Sequence, residues 1–157
     1  MLLLCVANYT TECIKYYKQN VGCSTITLND KMRLTTIGDV WYSRQSPLMP
    51  RELQPEVQDS TFYVPPVVMS HCLRFLCYNH LHNIVNRQQS LRDLNLTIKE
   101  KYFIPKNELS NSLSILGVCN EIVDDKETAD RCYNTALQNE YYICRTVAKR
   151  KEHLNMR

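Results

Sequence analysis

The residues best suited to chemistry gather in one short stretch: His71, Cys72, Cys77, His80 and His82. Cysteine and histidine are zinc's common ligands, and a site needs three or four such donors converging at about 2.0–2.3 Å. Spacing decides which of them can share an ion. On a helix, Cys77 and His80 stand one turn apart on the same face. His71 and His82 share a direction but lie about 16 Å apart along the axis. The stretch therefore offers two ligands, Cys77 and His80, and the others would come from Cys5, Cys119 or Cys132. That gives a reading as a small helical module with a structural zinc. The plainer reading is a buried cysteine, a hydrogen-bonded His80 and two solvent-facing histidines, and it expects no cofactor.

Nucleophilic catalysis needs an activated thiol or hydroxyl, a base and an oxyanion pocket. Cysteine and histidine are present, but no nucleophile signature surrounds any cysteine. The chain has only three glycines, Gly22, Gly38 and Gly117. Phosphate cradles and nucleophile elbows need glycines close together, for positive φ and close backbone approach. A P-loop, a dinucleotide fingerprint and a G-x-S-x-G elbow are all absent. The expectation is a protein that is not an enzyme.

Two motifs point to partners instead. Arg44-Gln45-Ser46-Pro47-Leu48-Met49-Pro50 fits a basic-x-x-Pro-x-x-Pro pattern, in which Arg44, Pro47 and Pro50 would contact an SH3-type groove. Residues 145–157 hold five basic side chains against one acid, whereas the other 144 residues hold 14 basic and 15 acidic groups. The excess positive charge is thus a property of the C-terminal end. Lys149, Arg150 and Lys151 could meet nucleic acid or serve as a short nuclear signal. The same charges also complement the negative end of a helix dipole.

The longest early apolar run, Leu2 to Ala7, is too short for a membrane span or a signal-peptide core. With no signal peptide, the eight cysteines are expected to be mostly reduced and packed as small hydrophobes. An intracellular location, cytoplasm or nucleus, follows as the expectation.

The elements that must position these residues are mostly helices. Sparse glycine suits them. Residues 2–20 read as a helix from apolar positions at three-to-four spacing. Residues 24–37 read as a β-hairpin, with two β-branched runs around Asn29-Asp30. Five of the six prolines fall within 43–66, which predicts an extended connector with short one-turn helices around Pro50–Glu56. A helix over 66–88 carries the stripe Leu73, Leu76, Cys77, His80, Leu81, Ile84 and Val85, and 90–96 reads as a short helix or turn. A helix over 104–117 opens at Pro105, with 118–123 continuing it or bending. The last helix spans 125–152, with a capping box from Asp124 and Glu127 and a stripe from Ala129 to Ala148.

The fold class expected is mainly α, with about four principal helices in a compact bundle-like domain and a small hairpin near 24–37. The whole chain, 1–157, reads as a single domain. The function expected is a non-enzymatic protein–protein interaction or assembly subunit, binding a protein partner or its own copies. Its working surface would be the connector, the hairpin edge or an exposed strip among the ten tyrosines. Few glycines and many cysteines without a secretion signal would suit a viral accessory or structural protein. A nucleic-acid-binding regulator using the basic end, and the zinc-stabilised module, are the two alternatives.

Overall fold

The computed structural model describes residues 40–102, 104–139 and 145–156. The expected helix over 2–20 and hairpin over 24–37 lie outside the described residues, as does Cys5. All the described residues belong to one compact unit, Asp39–Arg157. It is mainly helical, with a small two-stranded antiparallel sheet. Strand β1 is Val40–Tyr42 and β2 is Phe62–Val64, in the register Val40↔Val64, Trp41↔Tyr63 and Tyr42↔Phe62. The side-chain period of two sends Phe62 and Val64 into the core and turns Trp41 and Tyr63 outward.

The proline-rich stretch between the strands is not merely extended. It turns at Ser43–Met49, then forms a 3₁₀ helix, Arg51–Val57. Met49, Leu53 and Val57 from this stretch are buried core residues. The short helix suits its sequence: Pro50 precedes the first turn, and Pro55 disturbs few bonds in so short an element.

Five α-helices follow among the described residues: α1 Pro66–His80, α2 Ile84–Lys99, α3 Leu109–Ile122, α4 Lys126–Leu137 and α5 Arg145–Asn155. The helix expected over 66–88 is in fact two. Leu81 closes α1, His82 adopts a left-handed φ of 53°, and the Asn83 side chain caps α2 by accepting from the Asn86 N–H at 3.1 Å. An asparagine cap supplies a partner for a helix-end N–H, so the chain can stop and restart without glycine. The expected stripe shifts as well. The core face of α1 is Val68, Met69, Cys72, Phe75 and Leu76, whereas Leu73, Cys77 and Leu81 are exposed. Phe75 is fully buried, and its truncation to alanine would cost about 3–5 kcal/mol.

Helix α3 is the centre of the unit, with every residue from Ser110 to Asn120 buried. It packs against α1, α2, α4, β2 and the 3₁₀ helix, most extensively against α4. Five of those buried residues are serine or asparagine, and each finds a partner. Ser112 donates to the Glu108 carbonyl at 2.9 Å, and Asn120 donates to the Leu116 carbonyl at 2.8 Å. Ser110 reaches the Ala136 carbonyl at 3.1 Å, and Asn111 reaches the Tyr63 carbonyl at 2.7 Å. Ser114 donates to Glu56 at 3.3 Å. Burying these donors is tolerable because each is bonded, while Asn111 Oδ1 is buried without a partner among the described residues.

The last predicted helix also divides. Asp125, not Asp124, caps α4, accepting from the Thr128 N–H at 3.0 Å, while Asp124 takes a φ of 64°. Helix α4 buries Ala129, Cys132, Tyr133 and Ala136, as its stripe predicts, and closes at Gln138. Helix α5 then packs back on α4. Lys151 donates to Asn134, a pair that one straight helix would hold about 25 Å apart. Val147 of α5 is buried, but Ala148, assigned to the same stripe, is exposed.

Candidate functional site

The strongest polar constellation centres on Glu56, in the last turn of the 3₁₀ helix. Its carboxylate is fully buried. Ser114 of α3 donates to Oε1 at 3.3 Å, Thr146 of α5 donates to Oε2, and Arg150 Nε donates to Oε1 at 2.6 Å. Arg150 Nη2 also donates to the Glu52 carbonyl at 3.0 Å. Only 14% of the Arg150 side chain is exposed. Burial opposes its charge, but Glu56, Tyr133 and Glu121 together outweigh that effect and raise the guanidinium pKa. Beside this group, the Tyr133 hydroxyl donates to Glu121. Burial, reinforced by that bond, pushes the Tyr133 phenol well above its ordinary value.

Of these groups, Thr146, Arg150 and Glu121 line a cleft of about 390 Å³, together with Pro55, Gln58, Lys149, His153 and Leu154. Its charges are already engaged. Arg150 pairs with Glu56, Lys149 Nζ lies 3.4 Å from Asp59, and Glu121 accepts from Tyr133. The arrangement fastens α5 to the 3₁₀ helix and to α3. Sequence spacing gives little sign of it, since Glu56 and Arg150 are 94 positions apart.

The basic residues singled out from sequence therefore point largely inward. Arg150 is the buried partner of Glu56, and Lys151 donates to Asn134. Lys149 remains mostly exposed, though it is paired with Asp59. The three do not form one open cationic patch.

Arg44, Pro47 and Pro50 lie in a turned segment. Ser46 N–H donates to the Ser43 carbonyl at 3.0 Å, Met49 N–H donates to the Ser46 carbonyl at 3.3 Å, and Gln45 has a φ of 56°. An SH3-type ligand is a left-handed extended helix without such turns. Arg44 Nε donates to the Gln58 carbonyl at 3.3 Å, and Pro47 is exposed.

Cys77 is an exposed free thiol, and His80 Nε2 lies 3.0 Å from Glu52 Oε1. Among the described residues, no three His, Cys, Asp or Glu side chains gather closely enough to hold a metal ion. Cys119 and Cys132 are buried elsewhere, Cys119 with its sulfur 3.9 Å from that of Cys72. The sequence spacing around Cys77 gives no sign of that buried pair, whose members stand 47 positions apart.

Among the described residues, two groups of exposed apolar side chains stand out. On the sheet, Trp41 and Tyr63 sit directly opposite each other with 52% and 48% of their surfaces exposed. At the corner between α1 and α2, Leu81, Ile84 and Val85 are more exposed still. The alternations Val40-Trp41-Tyr42 and Phe62-Tyr63-Val64 are the sequence signals for the first group. The residues of the second belong to the apolar stripe that the sequence places on one helix over 66–88. Among the described residues, no helix is long and apolar enough to cross a membrane. No family model, curated protein or solved structure matches the chain.

Proposed function

We propose that the chain is a protein–protein interaction or assembly subunit. The observation that carries this reading is the Trp41–Tyr63 pair. The chain's single tryptophan stands on the outer face of a two-stranded sheet, opposite a tyrosine, and about half of each ring is exposed. Tryptophan and tyrosine are enriched among the residues that dominate binding energies, because each buries a large rigid surface and keeps a polar handle. Leu81, Ile84 and Val85 add exposed apolar area at a separate corner. Scattered exposed hydrophobes need no explanation, but paired aromatic rings facing water favour a docking role.

The basic end supports nucleic-acid binding less well, because Arg150 is spent on Glu56. The test compares wild type with a Trp41→Ser/Tyr63→Ser variant. Light scattering over a concentration series reads self-association, and quantitative affinity capture reads other partners. Association present in wild type and lost in the variant supports the proposal. A monomer with the same captured set in both overturns it.

A further inference from the structure

We propose that Cys72 and Cys119 are a disulfide-forming pair, joining α1 to α3 when a low-molecular-weight disulfide such as glutathione disulfide is available. Their sulfurs are 3.9 Å apart, in contact within the core, though 47 positions separate them in the chain. Both side chains are buried and both are free thiols. Bond formation needs the sulfurs to close by about 2 Å, on two helices already packed together. Folding thus holds the two thiols at a high effective concentration, which no exposed cysteine of the described residues shares.

The exchange balances with the oxidant named. One thiol loses its proton and attacks a sulfur of glutathione disulfide, releasing one glutathione thiol and leaving a mixed disulfide. The second thiol loses its proton and attacks the protein sulfur, releasing the second glutathione. Two S–H bonds break and one protein S–S bond forms. The two electrons reduce the glutathione disulfide, and the two protons end on the two glutathione thiols.

The surroundings set the rate. The Cys72 contact, then burial, hold the Cys119 thiol well above its ordinary pKa. Thiolate is the attacking species, so the closed native protein reacts slowly and the exchange runs through opened or folding molecules. Cys77 is exposed and marks the contrast: it is free to take up glutathione, but the structure gives it no thiol partner among the described residues.

The test is oxidative refolding of the full reduced chain in a glutathione redox buffer, followed by peptide mapping of disulfides. The expected result is a Cys72–Cys119 bond as the most abundant internal pair, in protein with the helical spectrum of the reduced form. Cys77→Ser should leave its yield unchanged, and Cys72→Ser should leave Cys119 unpaired or spread over several partners. If Cys72→Ser fails to fold, the wild-type map still decides. The proposal is overturned if the Cys72–Cys119 bond is no more frequent than other pairs, or is confined to non-helical species, while Cys77 is glutathionylated.

Discussion

Gly117 of α3 lies directly beneath the ring of Tyr133 on α4. A methyl group at Gly117 would fall 2.7 Å from the ring's Cζ and 2.9 Å from its Cδ1. The ring cannot swing aside freely, because Tyr133 is fully buried and its hydroxyl is held by Glu121. Glycine here permits the close approach of two helices. Alanine would gain about 1 kcal/mol in helix propensity, but overpacking of this kind costs about 1–3 kcal/mol or more. Gly117→Ala is expected to lower stability by about 1–2 kcal/mol net, read from the urea midpoint. Tyr133→Leu in the same chain should relieve part of the clash, so the double variant should lose less than the sum of the singles.

Glu56 and Arg150 should behave as a unit. Removing one partner strands the other as a buried charge, which costs about 3–5 kcal/mol. Glu56→Leu and Arg150→Met are each expected to destabilise by that order in denaturant melts. The double variant should be milder than either single. Equal and additive losses would show that the ion pair is not coupled.

The cap at Asp125 gives a pH dependence. The Thr128 N–H bond, then the Thr128 hydroxyl, holds this carboxyl below its ordinary pKa. A depressed folded value means the stabilisation is complete above the unfolded carboxylate pKa of about 3.9. It is lost as pH falls through the lower folded value. Asp125→Ala should cost about 1 kcal/mol at pH 7, and the difference from wild type should shrink in the acid arm. Urea melts across that range read it directly. A difference that grows on acidification contradicts the assignment.

Substituting Trp41 and Tyr63 tests the proposed docking role separately from stability. A cross-strand aromatic pair contributes about 0.2–1 kcal/mol, so Trp41→Ser/Tyr63→Ser should shift the melting midpoint only slightly. Binding of a partner, or self-association, should fall at least tenfold, as expected where central aromatic residues are removed.

Lys149→Ala/Lys151→Ala tests the basic end. Both amines already have intramolecular partners, Asp59 and Asn134. Retention on a polyanion column is expected to change little. A large loss of retention with a steep salt dependence would mean that the end binds nucleic acid.

Much of the architecture was legible. The helical class followed from sparse glycine and apolar spacing, and the α4 face of Ala129, Cys132, Tyr133 and Ala136 was read correctly. The break at His82 was not, because no glycine or proline marks it. Asn83 was the available signal, as an N-cap residue standing at the start of a new helix. The stripe on α1 was misplaced because apolar residues occur on more than one of its faces. Periodicity finds a helix readily, but it chooses poorly between two greasy sides.

The chain's local chemistry settled what kinds of elements form: helices where glycine is scarce, turns and a 3₁₀ segment where proline gathers, caps at Asn83 and Asp125. Those choices depend on neighbours within a turn or two, so they are written in short stretches of residues. Which side chains meet was decided only by packing. Arg150 turned from a free cation into the buried partner of Glu56, and Cys72 came against Cys119, because helices distant in the chain were brought together. Such pairs depend on how whole elements bury their faces, a long-range outcome that no local spacing encodes.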